Sequence, residues 1–392
     1  MYHLFCQSFN YDNSPTREIK KSNKYNISPC SKKDTNAESA GIIVYLPNYR
    51  AKDVIDIQKF DFTNINVIIY CFFRIDDNGE PYSSNTSVDI KKKTIYYLNN
   101  DVKKKYPHLR TVLSFGGASG SKNFGTILNS KDKISNIAKK IADTMTTHGF
   151  DGVDIDWEFP TDSTQSKNYG TLLKEIRSNI GNNKILTISA AYNSNKYNGY
   201  AKTYMNYINW FNIMTYDFAG SWNKYSGHGS PLYSPTNDLN HQKSCDISIN
   251  SYLNEGIPSN KLVLGVAFSG QAWKVQSSAN NGFNQKGTTN TEGQPGNTEG
   301  IWTYMALREQ NILVSKKMTS KPWFRTWHSD AKSPSLFNPY TMQYISYNDK
   351  DSMCERIAYV KMKNLAGVMM WEIGQDYKRE LLDSLIFCYT NN

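Results

Sequence analysis

Eight apolar runs of strand length recur after Gly41, and the segments between several of them carry helical periodicity. The runs are Ile42 to Leu46, Asn66 to Phe72, Thr111 to Phe115, Gly152 to Trp157, Ile185 to Ala191, Phe211 to Tyr216, Leu262 to Phe268 and Gly367 to Trp371. After Ser130, residues Ile134, Ile137, Ala138, Ile141, Ala142 and Met145 fall on one helical face, and Gly149 supplies the stop. Tyr169, Leu172, Leu173, Ile176 and Ile180 make a second face before Gly181, and a third stretch, Met353 to Leu365, precedes the last run. Strands that alternate with helices pair in parallel, and this number of them predicts an α/β chain closed into a (β/α)8 TIM barrel. An open doubly wound sheet is the weaker alternative, because no GxGxxG follows the first run.

One spacing breaks the rhythm. About 100 residues separate Phe268 from Gly367, where one helix and its loops take about a third of that length. The excess holds Gly282, Gly287, Gly293, Gly296 and Gly300, with Trp302, Tyr304, Trp323, Phe324 and Trp327 among them. It predicts a small α+β insertion over 272–343, between strand 7 and helix 7, on the C-terminal rim of a barrel formed by 39–271 and 344–392. Residues 1–38 are rich in Ser, Asn and Lys with no apolar period, and read as a flexible leader.

The formal charge is +10, and the clusters Lys91 to Lys93 and Lys103 to Lys105 read as solvated faces, with no nucleic-acid signature beside them. The six cysteines form no CxxC; an even count permits disulfides without implying them, and Cys71, in an apolar run, reads as a buried thiol. Histidines lack HxxxH spacing and no GxxxxGK(S/T) loop occurs, so no metal or cofactor is expected. No apolar run reaches membrane length, and the first residues lack the apolar core of a signal peptide, so the chain is expected to be soluble with its export unexplained. Asn26 and Asn85 head Asn-x-Ser/Thr sequons, which fit a secretory route and also arise by chance.

The fourth run carries the chemistry. In Asp151-Gly-Val-Asp154-Ile-Asp156-Trp-Glu158, alternation puts Asp154, Asp156 and Glu158 on one face, climbing toward the barrel mouth. Like charges this close cannot all ionise near neutral pH, so at least one carboxyl holds a proton. Glu158 has the longest reach and the outermost place, which suits a general acid; Asp156 lies one pleat deeper. Asp151 has the opposite parity and ties the start of the strand. An ordinary acidic strand facing solvent has the same stripe, and the spelling of the motif decides between the two.

That run resembles the DGxDxDxE signature of the family 18 glycoside hydrolases, the chitinases, complete in its acids. Ser114-Phe-Gly-Gly117 is similar to the family's SxGG on the third strand, Met214-Thr-Tyr-Asp217 stands at the end of the sixth, and Trp371 ends the eighth. The likeness spans about residues 40–388, and Tyr344 to Asp349 resembles the family's exit from its insertion. The resemblance implies retaining, substrate-assisted hydrolysis of β-1,4 links between N-acetylglucosamine units, a departure from the two-carboxylate scheme known for the family. It implies Glu158 as acid and base, Asp156 as the residue orienting the acetamido group, Tyr216 as its hydrogen-bond donor, and Asp154 as the buried partner of Asp156. Trp371 would floor the sugar; Tyr45, Phe72, Phe159, Met214, Asp217 and Trp222 would line it. Gly116 and Gly117 either admit backbone close to the sugar or serve packing.

Two departures stand out. Ala118 follows the glycines where relatives often have an aromatic, and Ser269-Gly-Gln271 stands where Tyr-Gly-Arg is frequent. Altered subsite affinity is expected, with the chemistry intact. The expected partner is chitin or a chitooligosaccharide, met by a monomer outside the cell or at a cell wall, with no role for nucleic acid or membrane. A non-hydrolytic chitin lectin and an endo-β-N-acetylglucosaminidase are the competing functions.

Overall fold

The computed structural model describes residues 39–391 apart from 52–54, 241–242, 289–292 and 298. The expected leader, with Cys6, Cys30 and Asn26, lies outside the described residues. Seven barrel strands follow in order, besides a short edge strand Pro81–Ser83 on the second: β1 Gly41–Pro47, β2 Val67–Ile75, β3 Arg110–Gly116, β4 Gly152–Asp156, β5 Ile185–Ala190, β6 Trp210–Ile213 and β7 Leu262–Ala267. Six more, β8 Ser269–Val275, β9 Gly287–Thr288, β10 Ile301–Thr303, β11 Phe324–His328, β12 Ser333–Asn338 and β13 Gln343–Ser346, make a second sheet, and β14 Gly367–Trp371 returns to the first. The first sheet runs β1-β14-β7-β6-β5-β4-β3-β2 and closes on itself through parallel β1–β2 pairing, with Val44 opposite Ile68. The expected eight-stranded parallel barrel is therefore the observed one.

Strand parity divides its core in two. Ile43, Tyr45, Ile69, Val112, Val263 and Met369 fill the barrel interior, whereas Val44, Ile68, Leu113, Val153 and Ile155 point outward into the layer beneath the helices. Burying each such side chain contributes roughly 1.5–3 kcal/mol relative to exposure.

The helices form where the apolar spacing placed them. Helix α1, Lys131–Thr147, buries Ile134, Ile137, Ala138, Ile141, Ala142 and Met145. Ser130 caps its start by accepting from Lys133 N at 3.4 Å, and Gly149 at φ +74° follows its end. Helix α2, Ser163–Ile180, is capped by Asp162. Two shorter helices, α3 Cys245–Asn254 and α4 Tyr304–Glu309, precede α5, Lys350–Met362. Helix α5 starts ahead of the apolar pattern because Asp349 and Ser352 form a capping box there. A disulfide between Cys354 and Cys388 joins α5 to α6, Glu380–Asn391, while Cys71 and Cys245 are buried thiols.

The second sheet, ordered β9-β8-β13-β12-β11 with β10 also on β8, is antiparallel throughout. Its pairing begins at Ser269 and ends at Ser346, beyond both edges of the segment 272–343 expected from composition; Gln271 opposite Ser346 is already part of the ladder. Asn348 Nδ2 then donates to Ala267 O at 2.9 Å, fastening the exit of this sheet to the end of β7.

A candidate active site at the mouth of the barrel

Strand β4 delivers its acids as a ladder. Asp154 lies fully buried inside the barrel. It accepts from Ser114 Oγ and Thr187 Oγ1 at 2.7 Å each, Ser189 Oγ at 3.2 Å, and Asn212 Nδ2 and Tyr45 OH at 3.4 Å. Burial raises its carboxyl above the ordinary range, and these donors oppose the rise. Asp156, one pleat higher and 3% exposed, has an Oδ1 with no hydrogen-bond partner among the described residues. Burial, then the charges of Glu158 and Asp154, push it well above the usual carboxylate value, against a weak opposing bond from Ser189. Of the three acids, Asp156 is the one that the charges of both neighbours push toward its protonated form.

Glu158 is half-buried at the mouth, beyond the last residue of β4, and its N–H donates to Ser121 Oγ at 3.1 Å. Burial and then the charge of Asp217 raise its carboxyl. The peptide bonds Glu158–Phe159, Cys71–Phe72 and Trp371–Glu372 are cis. Phe159 packs partly buried against the outer core. Asp151, of the other parity, accepts from Thr111 N at 3.0 Å and from Lys103 Nζ at 2.8 Å, so it ties the beginning of β4 to β3.

The opposite wall comes from the end of β6. Met214 and Tyr216 are partly buried there. Thr215 Oγ1 donates to Gly265 O at 2.6 Å, and a Cβ on Gly265 would come within 3.0 Å of the Tyr216 ring, so glycine lets the ring lie against β7. Burial and the surrounding acids raise Tyr216 well above its usual value, which keeps it a neutral O–H donor. Asp217 is open to solvent at the cleft yet flanked closely by protein; that enclosure raises its carboxyl, and Gln271 Nε2, donating at 3.2 Å, opposes the rise. Behind Asp217, Ser269, Gln271 and Asn348 line a cavity of ≈ 10 Å³, room for one water.

Aromatic rings make the floor. Trp371 meets the Tyr45 ring edge-on at 5.6 Å and Phe72 at 5.9 Å, and Glu372, held by Arg50 Nε at 3.0 Å, anchors the residue after it. Trp222 stands 58% exposed, with its ring over Gly220. Tyr45, 2% exposed beside Trp371, has its hydroxyl 2.9 Å from Ser189 Oγ. A Cβ on Gly116 would fall 2.1 Å from Asp156 O, and one on Gly117 2.8 Å from Phe72, both at positive φ. Each glycine thus has a packing reason: Gly116 lets β3 lie against the backbone that carries Asp156, and Gly117 leaves room for the Phe72 ring.

Several contributors escaped the motif reading: Thr187 and Ser189 on β5, Asn212 on β6, Ser121, and the Arg50–Glu372 pair. The first three carried a signal, being polar residues at inward parity in otherwise apolar strands. Among the described residues no cluster of His, Cys, Asp and Glu is arranged to hold a metal.

The profile of glycosyl hydrolases family 18 matches residues 41–376. The chain belongs to this family. Among its relatives, Endochitinase 1 of Metarhizium robertsii is 30% identical over 379 residues, covering 89% of this chain and 82% of the fungal protein. Chitinase 1 of Aphanocladium album is 29% identical over 349 residues, 83% of this chain and 78% of its own. The solved structure of chitinase ChiA74 from Bacillus thuringiensis superposes with a TM-score of 0.80 at 26% identity, covering 90% of this chain and 70% of that one. As a family 18 member the chain is a glycoside hydrolase whose barrel mouth coincides with the acid ladder.

Proposed function

We propose that this protein is a chitinase that cleaves β-1,4 links between N-acetylglucosamine units, endo in mode and retaining, with the substrate's own acetamide as nucleophile. The observation that carries the reading is the state of Asp156: a buried carboxyl with a free Oδ1, one pleat below Glu158 and facing the same mouth. A free acceptor there fits an acetamido N–H. Orienting that group turns its carbonyl oxygen toward the anomeric carbon, and Tyr216 donates to the same group.

Glu158, raised by burial and by Asp217, meets the glycosidic oxygen protonated and releases the leaving sugar. The acetamide carbonyl oxygen forms the new bond to the anomeric carbon as the bond to the leaving oxygen breaks, and the positive charge that develops on the acetamide is stabilised by Asp156, which accepts from its N–H. Glu158, now a carboxylate, takes a proton from water, whose oxygen attacks the anomeric carbon as the bond from that carbon to the acetamide oxygen breaks; the acetamide is regenerated and the original configuration restored. Trp371 holds the sugar face throughout, and Trp222 stacks on a unit further along. An insoluble polymer cannot enter a cell, so the protein would act outside the cell or at a cell wall; we propose that it does so as a monomer.

The test is Glu158→Gln assayed on chitohexaose. Turnover should fall by at least about 10³-fold while binding stays measurable; near-parental turnover would remove Glu158 from the mechanism. The parent's product profile from the same hexasaccharide reports endo cleavage directly. Absence of products with binding retained would favour a lectin instead.

A further inference from the structure

A second recess, of ≈ 380 Å³, lies between the hairpin after β2 and the C-terminal end of α1. That volume is in the range of small-ligand sites. Its floor is Phe73, 3% exposed, with the His148 ring edge-on at 5.5 Å. The preceding residue, Phe72, packs on Trp371 in the catalytic mouth, so strand alternation puts Phe73 and the recess on the opposite face of the sheet. Tyr82 and Ile90, 45% and 46% exposed, border it and leave apolar surface open to solvent.

These walls are built rather than loose. The short strand Pro81–Ser83 pairs with β2, Arg74 opposite Tyr82. Behind it, Asp89 is 1% exposed and accepts from Tyr70 OH and Ser83 Oγ at 2.5 Å and from Asn48 Nδ2 at 3.1 Å. A buried carboxylate is tolerated only when its oxygens are saturated, so the donors from β2, the hairpin and the end of β1 hold the segment bearing Ile90 in place.

The lining is amphipathic and carries no surplus cation. Thr86 and Thr147 offer hydroxyls, and Asp143 offers a carboxylate already paired with Lys139 at 2.7 Å. Lys140 is engaged by Glu80. Burial holds His148 below its usual value, so its ring is neutral at pH 7. Anionic ligands find no partner in such a site. A flat ligand with one C–H face and a rim of hydroxyls matches it, with aromatic surface on one side and polar groups on the other.

We propose that this recess is a second carbohydrate site, remote from the catalytic mouth, in which a neutral pyranose stacks on Tyr82 and hydrogen-bonds to Thr86, Thr147 and Asp143. The choice of N-acetylglucosamine as that pyranose rests on the chitinase reading above; the chemistry of the recess does not.

His148 is a local reporter once histidines are ¹³C-labelled. Chitobiose titrated into Glu158→Gln protein should move the His148 signal saturably, and adding Tyr82→Ala should weaken the apparent Kd at least about five-fold. Thr147→Arg, which fills the recess from the helix side, should have the same effect, so the result does not hang on one variant. In the otherwise native enzyme, Tyr82→Ala should leave chitotetraose turnover within about two-fold of the parent. A His148 signal that no disaccharide moves at millimolar concentration overturns the proposal. So does an equal loss of soluble turnover in Tyr82→Ala, since Tyr82 would then serve the mouth. Cellobiose runs in parallel: a shift with it and none with chitobiose keeps a pyranose site and overturns the sugar assigned. A parent inactive on chitohexaose would sink the chitinase reading while leaving this titration to decide the recess.

Discussion

Gln271 Nε2 donates to Asp217 Oδ1 across 3.2 Å, so the charge that faces Glu158 is steadied by an amide rather than by a cation. Asp217 is the group whose charge raises Glu158 after burial itself. An anion left uncompensated beside the acid extends the pH range over which Glu158 keeps its proton.

Asp217→Asn tests that coupling. Removing the anion lowers the Glu158 value, so the acid form is lost at lower pH and the alkaline limb of kcat/KM for chitohexaose should move toward acid. An unmoved limb in an otherwise active variant would uncouple the two carboxyls. Gln271→Arg should shift the limb in the same direction by partial compensation.

Asp156→Asn should separate stability from activity. A carboxyl raised in the folded state costs stability above its unfolded value near 3.9, where the unfolded chain ionises freely and the folded one resists. The variant removes that cost, so its Tm at pH 7 should exceed the parent's by the equivalent of about 0.5–2 kcal/mol. The advantage should fade as pH falls toward 4, and turnover should drop by at least about 10²-fold. Equal Tm values at pH 7 would mean that the acid ladder carries no strain.

Gly116→Ala distinguishes packing from sugar contact. The new Cβ would meet Asp156 O at 2.1 Å, and φ of +118° disfavours any side chain. A loss of roughly 2–4 kcal/mol in urea unfolding is expected, through strain and displaced backbone. If instead stability held and only KM rose, the glycine would serve the ligand.

How much of this was legible depends on period and parity. The six inward residues of α1 and the inward Asp154, Asp156 and Glu158 follow from spacing alone, because a helix or strand fixes where each side chain points. Parity also puts Tyr45 inside the barrel, but what its hydroxyl meets there, Ser189 on β5, depends on a strand distant in sequence. The pairing of Ser269, Gly270 and Gln271 with β10 and β13 is not legible in the sequence, because these residues have no apolar alternation and their partners are distant along the chain. The charge relation between Asp217 and Glu158 joins β6 to β4 across the mouth, which no local pattern encodes.

His228 is a weak point toward acid. It is 4% exposed, neither ring nitrogen has a hydrogen-bond partner among the described residues, and its ring lies 5.1 Å from Phe283 and 4.5 Å from His328. Burial, then His328 and the buried Arg356, hold it well below 6.5. A histidine depressed in the folded state stays neutral there while the unfolded chain takes up a proton below about pH 6.5, so stability is whole above that value and is lost as pH falls. Each such group steepens the loss by up to about 1.4 kcal/mol per pH unit. His228→Leu should therefore flatten the fall of urea-unfolding free energy between pH 6.5 and 4.5, whatever it does to the value at pH 8. Parallel parent and variant curves across that window would assign the acid sensitivity elsewhere.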